Sequence, residues 1–360
     1  MAEDALSTHA PTPVVRARFP DARARAGMYE SLYLRAVDPE RPRGIWVRYT
    51  VHKRPDLPPR GSLWCTFFDA TRARPFMTKL TTDALSVPEG GWIAIGEDAE
   101  FGPRRAIRDA IDPPDGVSGT SLPEIQANGH CEGARWSLRC TTAEAPLRHL
   151  PRSWMYRAPL PRTKPTSPAP AARFAGTIEL AGPPSQAIDV RGWRGMVGHN
   201  WGSEHAERWI WLHGTCFEES ADAWLDVVIG RIRIAGRATP WVANGVLALD
   251  GQHHRLGGLG ARGLLVAETP SHCRLSLPGA AGLTVEAHVD APTNARAGWR
   301  YSDPDGTGHD VSNCSIASLK LTVNRPGQPA RTLRTAHGAA YELGMRERDH
   351  GVPLAPFADG

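Results

Sequence analysis

Short β-type runs recur along the whole chain and restrict the folds open to it. They are rich in Trp, Val, Ile, Leu and Thr and are separated by Gly, Pro and Asp, and few stretches repeat apolar residues with a helical period. About eight such runs occur in each half. Eight antiparallel strands can close into a barrel that holds one small ligand and leaves no exposed edge. The sequence therefore predicts an all-β protein with two antiparallel β-barrels in tandem, with a pair of open sandwiches as the alternative.

A proline-rich tract at residues 159–170 interrupts these runs near the middle of the chain. Proline lacks the N–H that a sheet ladder needs and holds φ near about −65°. We therefore predict a long loop there rather than a central strand. Eight strands in the first half also require residues 174–201, so the domain boundary is placed near Glu204. The predicted domains are residues 20–204 and residues 205–350.

Composition excludes several classes of protein. The 42 basic and 38 acidic residues nearly balance and form no basic stripe, so no nucleic-acid partner is expected. No apolar run approaches the roughly 20 residues of a membrane helix, so no membrane span is expected. The acidic start of the chain is unlike a signal peptide, which favours a cytoplasmic location. Six Cys without a C-x-x-C pair are expected to be reduced core residues.

Residues 195–213 hold three Trp and three His, which is the densest concentration of such side chains in the chain. Side chains alternate along a strand, so His199 and Trp201 share one face. Trp209, Trp211 and His213 likewise share one face of the next strand. An imidazole beside a broad aromatic surface suits an unsaturated ligand, because the ring stacks and the imidazole exchanges a proton. The segment therefore predicts a pocket for a hydrophobic small molecule.

The same segment offers little to a metal or a cofactor. His199, Glu204, His205 and His213 are available ligands, but their spacing fits no standard zinc motif. The chain also lacks the G-x-S-x-G of an α/β-hydrolase and the G-K-[ST] of a phosphate loop. We therefore expect neither a metal site nor a cofactor.

Two segments resemble a known superfamily. Residues 198–204 with 209–212 are similar to the junction motif of the carotenoid 1,2-hydratases (hydroxyneurosporene synthases), which are grouped with the AttH-like proteins and decalin-forming Diels-Alderases. Residues 338–344 are similar to the closing strand of their second domain. The resemblance implies two lipocalin-like domains with a ligand pocket at or near their interface. It matches His199 and Trp201 to the hydratase D-H-x-W pattern, and Tyr341 and Glu342 to the terminal motif.

One position departs from the hydratase pattern. Gly198 stands where the hydratases have an acid directly before the His. Protonating an isolated C=C requires a positioned acid, so another carboxyl must replace it or the reaction must not need one. Glu204, Asp226 and Glu342 are the candidates, and desolvation on its strand is expected to raise the pKa of Asp226.

Together these features predict an enzyme that hydrates, isomerises or cyclises an apolar, unsaturated or polycyclic small molecule of isoprenoid or polyketide type at the domain junction. His199, Glu204, Asp226 and Glu342 are the predicted catalytic residues. The predicted substrate-binding residues are Trp201, Trp209, Trp211, His213 and Tyr341. Two alternatives stay open: a non-catalytic lipocalin-like carrier, which Gly198 favours, and a structural or interaction protein. The sequence assigns no oligomeric state.

Overall fold

The protein is all-β, as the sequence predicts. The computed structural model describes residues 15–103, 124–182, 185–234 and 236–357. The described residues contain no α-helix, and none of their helices is long and apolar enough to cross a membrane. Two large antiparallel sheets form a nearly closed barrel and a half-barrel. The short 3₁₀ helices are Phe19–Asp21, Ser153–Tyr156, Ala280–Gly282 and Thr293–Ala295.

The first sheet contains thirteen strands in the order β4-β3-β2-β1-β13-β11-β9-β8-β7-β6-β5, with β10 and β12 pairing with β11. Its strands are β1 (Met28–Val37), β2 (Arg43–Lys53), β3 (Arg60–Asp69), β4 (Phe76–Thr82), β5 (Leu85–Ser86), β6 (Ile93–Ile95), β7 (Ala99–Pro103), β8 (Ile125–Cys131), β9 (Ala134–Thr141), β10 (Leu147–Arg148), β11 (Thr163–Leu180), β12 (Gln186–Asp189) and β13 (Trp193–Gly202).

The second sheet contains ten strands in the order β19-β18-β15-β14-β25-β24-β22-β21-β20, with β23 pairing with β24; β16 and β17 form a separate pair. These strands are β14 (Arg208–Gly214), β15 (Trp224–Arg231), β16 (Arg233–Ile234), β17 (Arg237–Ala238), β18 (Val242–Leu249), β19 (Gln252–Gly257), β20 (Leu265–Glu268), β21 (His272–Pro278), β22 (Thr284–Asp290), β23 (Ala297–Ser302), β24 (Gly308–Asn324) and β25 (Arg331–Met345). The first sheet ends at Gly202 and the second begins at Arg208, while the exact domain limits stay a prediction.

Strands β1, β2, β3 and β13 are covered on both faces. On β1, Leu32 and Leu34 point into the core of the first sheet, whereas Tyr33 and Val37 on the opposite face pack with the core of the second. This alternation follows from the two-residue period of a strand. The layer between the two sheets, which we call the junction, therefore receives one full face of β1 and the facing side chains of β14, β24 and β25.

The prediction of a loop across residues 159–170 is wrong for residues 163–170. Residues from Thr163 onward belong to β11, which lies between β13 and β9 in the sheet. The pairing of β11 with β13 shifts register between Thr166 and Ala169 and again between Ala169 and Ala172. Pro168 and Pro170 fall in these irregular steps. Bulges accommodate prolines within a sheet because the regular ladder is already interrupted there.

Candidate functional site

His199 does not face the junction. It lies on the side of β13 that carries Val197, a residue of the first sheet's core, and it is fully buried. Its Nε2 donates to Oε1 of Glu30 at 2.8 Å. The carboxylate of Glu30 also accepts from the backbone N–H groups of Arg18 and Phe19, at 2.8 to 2.9 Å. The N-terminal segment thus closes over this pair and separates His199 from solvent.

Trp201 and Glu204 follow His199 toward the surface. The Trp201 ring lies 4.8 Å from that of His199, and the guanidinium of Arg18 covers it at 4.5 Å. The carboxylate of Glu204 is 28% exposed and pairs with Arg162 and with Arg346, the latter at 3.2 Å. Glu204 thus lies in a cluster of ion pairs at the surface, and the structure does not bring it to the junction.

The predicted face of β14 does point into the junction. Trp211 meets the ring of Tyr33 edge to face, at 5.4 Å. His213 is fully buried, with Nε2 donating to the carbonyl of Pro170 at 2.9 Å and Nδ1 lying 3.1 Å from Nη1 of Arg35. Arginine only donates, so Nδ1 accepts and the ring is neutral. Burial and then the charge of Arg35 lower the pKa of His213 to about 4.

Asp226 lies in the same layer but does not behave as the sequence predicts. Its oxygens accept from Trp211 at 3.2 Å and from Ser167 at 2.5 Å, and Nε2 of His149 is 3.4 Å away. Desolvation alone raises the pKa of this fully buried carboxyl, but His149, His213 and Ser167 together lower it below its usual value. The expected rise is therefore wrong, because the partners outweigh the burial.

Glu342 is the carboxylate most clearly placed at the junction. It is 8% exposed and faces Trp211 and Asn313 across its two neighbouring strands. Trp209 Nε1 donates to it at 3.0 Å, and Tyr301 Oη and Asn313 Nδ2 donate at 3.1 Å each. Indole and amide nitrogens only donate, so these contacts hold Glu342 as an acceptor.

Tyr341, next to Glu342 in the chain, points to the other side of β25. It packs in the core of the second sheet and its hydroxyl donates to the carbonyl of Thr269 at 2.8 Å. The structure therefore separates two neighbouring residues that the sequence placed in one site. Only Glu342 of the two belongs to the junction.

The structure explains why residue 198 is a glycine. A Cβ at this position would stand 2.1 Å from Cζ and 2.4 Å from the hydroxyl of Tyr33. The ring of Tyr33 therefore occupies the space that a side chain at 198 would need. The phenol hydroxyl of Tyr33 therefore lies where the hydratase pattern has an acidic side chain.

Tyr33 is only partly buried, as are Asn200, Trp209 and Val228 around it. Burial, and then the negative charges of Asp226 and Glu342, hold the pKa of the Tyr33 phenol well above its usual value. Arg48 lies on the same face of the first sheet, with its guanidinium 4.0 Å from the ring of Tyr301. The phenol is thus a neutral hydrogen-bond donor in a layer that solvent partly reaches.

A further cluster adjoins Trp209 and was not predicted. His205, Asp303 and His309 approach each other across the junction, and the His205 ring stacks on Tyr29 at 3.9 Å. His205 was considered as a ligand from sequence, but Asp303 lies 98 positions away and no motif joins them. Only the folded chain brings these side chains together.

One described cavity lies away from the junction. It has a volume of about 360 Å³ and an open rim on the second sheet. Its lining includes Glu144, Ser220, Asp222, Asp250 and His253.

The structure thus divides the predicted residues among several places. His199 and Trp201 lie at the sealed end of the first barrel, Glu204 at the surface and Tyr341 in the second core. The residues it brings together at the junction are Trp209, Trp211, His213, Asp226 and Glu342. Sequence reasoning missed Tyr33, Tyr301 and Asn313, whose only signal is their alternation along strands. The catalytic and binding roles assigned to these residues stay predictions.

No family model matches the chain. Two Mycobacterium tuberculosis proteins, from strains CDC 1551 / Oshkosh and H37Rv and each described as uncharacterized, are 25% identical to it over 332 residues, which is 92% of this chain and 90% of theirs. The descriptions of these two proteins therefore indicate no function.

Solved structures define the class of fold. A candidate AttH from Nitrosomonas europaea is similar with a TM-score of 0.54 and 13% identity, over 93% of this chain and 98% of that one. CghA, solved with Sch210972, has a TM-score of 0.54 and 12% identity over 89% of each chain. Kievitone hydratase from Nectria haematococca has a TM-score of 0.51 and 10% identity, over 92% and 93%. The chain therefore has the AttH-like fold of tandem lipocalin-like domains, while the closer resemblance to carotenoid hydratases stays a prediction.

Proposed function

We propose that the protein is an enzyme that hydrates, isomerises or cyclises an apolar, unsaturated or polycyclic small molecule of isoprenoid or polyketide type at the junction. The observation that carries this proposal is the carboxylate of Glu342. It is held by three side-chain donors in a layer whose aromatic residues keep partial exposure. Kievitone hydratase, by its name a hydratase, shares the fold and supports the same class of reaction.

Tyr33 and Glu342 have different chemical roles in this proposal. The raised pKa of Tyr33 makes its phenol a poor acid toward an isolated C=C but leaves it a hydrogen-bond donor. A donor of this kind stabilises charge that develops on a carbonyl oxygen. The preferred substrate is therefore an alkene conjugated to a carbonyl, rather than an isolated alkene.

Glu342 would act as the base. In isomerisation it takes a proton from a carbon next to the conjugated system, while the phenol of Tyr33 hydrogen-bonds to the enolate oxygen, and the proton then returns to another carbon. In hydration the proton comes from water, whose oxygen bonds to the β-carbon, and the α-carbon is protonated in turn. In cyclisation Tyr33 polarises the carbonyl and Trp209 and Trp211 hold the ring-forming ends together, which lowers the entropy cost of closure.

The direct test is turnover of a substrate panel. The purified protein is incubated with linear polyenes, prenylated aromatic ketones and polyketide polyenones, and products are followed by liquid chromatography and mass spectrometry. Hydration adds the mass of one water, whereas isomerisation and cyclisation change retention at constant mass. We expect turnover of a conjugated ketone and not of a simple polyene.

Matched variants locate the reaction. Glu342→Gln is expected to lower turnover by about 10²- to 10⁴-fold, and Tyr33→Phe to lower it by about 10²-fold or more. Glu286→Gln, at an exposed carboxylate on the same sheet, is the control and keeps full turnover. The His199→Gln variant distinguishes the site predicted from the sequence, which includes His199, from the junction site, which includes Glu342. Loss of turnover in His199→Gln alone would move the site to the first barrel.

A carrier function is the alternative that Gly198 favours, because this position has no acid. Stoichiometric retention of an unchanged ligand, with no product from any compound of the panel, would support the carrier. Mass spectrometry of organic extracts from the freshly purified protein identifies such a ligand directly. Quenching of Trp209 and Trp211 fluorescence by the same compound, lost in Trp209→Leu, places it at the junction.

A further inference from the structure

His205, Asp303 and His309 form a cluster that the proposed reaction does not use. One ligand atom from each lies within 4.8 Å of the others. His205 follows the last strand of the first sheet, Asp303 opens the turn after β23, and His309 lies in β24 paired with Tyr301. The segment after the first sheet and the β23–β24 hairpin thus converge on one point at the edge of the junction.

The hydrogen bonds at this point leave ring nitrogens free. Oδ1 of Asp303 accepts from both the backbone N–H and Nδ1 of His205, at 2.7 Å each. Nδ1 of His205 therefore contacts the carboxylate directly, and its buried Nε2 has no hydrogen-bond partner among the described residues. A metal ion that replaced the shared proton would bind Nδ1 of His205 and the Asp303 carboxylate together.

The hydrogen bonding of His309 is the most unusual of the three residues in the cluster. It is fully buried, and neither of its ring nitrogens has a hydrogen bond within the described part of the chain. Its Nδ1 lies 3.6 Å from Oδ2 of Asp303. A buried polar atom without a partner costs about 1–3 kcal/mol, so an imidazole with two such atoms calls for a ligand.

The surroundings fix these rings and balance the charge. Tyr29 stacks on His205, and Trp209 meets His309 edge to face at 5.1 Å. Arg346 lies 4.0 Å from Asp303, but its guanidinium also pairs with Glu207 at 2.8 Å. The rings are therefore held by packing, and the cation of Arg346 is shared with two other carboxylates, those of Glu204 and Glu207.

We propose that His205, Asp303 and His309 bind one divalent transition-metal ion of the Zn²⁺ type. Nδ1 of His205, one nitrogen of His309 and one carboxylate oxygen of Asp303 are the ligands, and the ion displaces the proton on Nδ1 of His205. Two imidazoles and one carboxylate favour Zn²⁺ over Mg²⁺ or Ca²⁺, which prefer oxygen. Tetrahedral bonds of about 2.0–2.2 Å separate ligand atoms by about 3.3–3.6 Å, so the cluster closes by roughly 1 Å around the ion.

Metal binding is measured on the full chain after chelator treatment. Zn²⁺ is titrated in competition with a chromophoric chelator, and Co²⁺ is added separately to record its visible absorption. We expect one equivalent of Zn²⁺ and the intense bands of four-coordinate Co²⁺. His309→Gln and Asp303→Asn are expected to weaken Zn²⁺ binding by at least about tenfold.

His272→Gln is the matched control. It removes an exposed His that contacts Asp290 at 2.6 Å, a His–Asp pair without a second histidine, and it is expected to leave Zn²⁺ affinity unchanged. Thermal unfolding provides a second measurement, in which Zn²⁺ raises the midpoint of the native protein and of His272→Gln but not that of His309→Gln.

The proposal is overturned if the native protein binds no Zn²⁺, or if His309→Gln and the native protein bind it equally, which would indicate an adventitious surface ion. If His309→Gln does not fold, the Co²⁺ spectrum of the native protein and the affinity of His205→Gln decide in its place. Failure of the substrate panel would leave these measurements unaffected, so the metal site and the proposed reaction are tested separately.

Discussion

Glu30 and Glu342 are two buried carboxylates with similar neighbours and different accessibility. Glu30 is 1% exposed and accepts from His199 and from two backbone N–H groups of the N-terminal segment. Glu342 is 8% exposed and accepts only from side chains, one of them the partly exposed Trp209. Side-chain donors can rotate toward a ligand, whereas the backbone donors of a packed segment cannot.

This difference separates a structural carboxylate from a candidate functional one. The pair of Glu30 with His199 closes the end of the first barrel. Through its contacts, Glu342 connects the two strands that neighbour its own, β14 and β24, to β23. The Tyr33 phenol, which covers Gly198, lies in the same layer. The density of His and Trp in the sequence does not distinguish the two, because both groups come from the same stretch of chain and its strand partners.

The largest effect on stability is expected at Glu30. Glu30→Gln leaves two backbone N–H groups and His199 without their charged acceptor and is expected to lower the free energy of unfolding by about 3–5 kcal/mol. Glu342→Gln places its amide against side-chain donors, which can rotate to a new arrangement, and is expected to cost about 1–2 kcal/mol. Urea denaturation of both variants measures the difference, and equal losses would contradict the distinction between the two sites.

The next largest effect concerns pH and His213 at the junction. The folded protein lowers its pKa from the ordinary 6.5 to about 4, so on acidification the unfolded chain binds the extra proton first. Stability is therefore fully present above about pH 6.5 and is lost as pH falls toward 4, by about 2–3 kcal/mol at about pH 4.5. His213→Gln keeps a donor and an acceptor but cannot titrate.

Unfolding free energies of the native protein and of His213→Gln, measured between about pH 7 and 4.5, test this expectation. The variant should show a shallower decline. Burial first of all also lowers the pKa of His309 to about 4. Because His309 is present in both proteins, its titration contributes equally to the two profiles of unfolding free energy against pH. Parallel pH profiles would show that His213 is protonated equally in both states.

A smaller effect is expected where Tyr33 covers Gly198. Gly198→Ala places a Cβ against the Tyr33 ring and is expected to cost about 1–3 kcal/mol through overpacking. The same change in a Tyr33→Ala background should cost much less, with a coupling energy of about 1–2 kcal/mol in the double-mutant cycle. Additive costs would mean that the ring does not hold this position.

The smallest effect is expected at Arg18, whose backbone rather than side chain seals Glu30. Arg18→Met keeps the backbone N–H and removes only the cation over Trp201, for an expected cost of about 0.5–1 kcal/mol. Chemical denaturation gives the value. A loss as large as that of Glu30→Gln would assign the seal to the guanidinium instead.

Much of the fold follows from the sequence alone. Alternating β-type runs predict the all-β class, and the residues around His199 are correctly placed on two consecutive strands, β13 and β14, which belong to different sheets. The period of two also places Trp209, Trp211 and His213 on one face, as the structure has it. The strand that contains Pro165, Pro168 and Pro170 was not predicted, because bulges depend on the partner strand.

The candidate site required the tertiary structure. Local alternation tells which side chains share a face but not which core that face meets. Strands β1 and β13 are covered on both sides, so polar residues on either face are buried, and His199 and Gly198 turn to opposite cores. Tyr33 meets Trp211 only through packing between the two sheets. Asn313 meets Glu342 through strand pairing, and Asp303 and His309 lie in one hairpin of the second sheet. The sequence determined the strands and their two faces, and only the association of the two sheets decided which face is a structural seal and which is the candidate site.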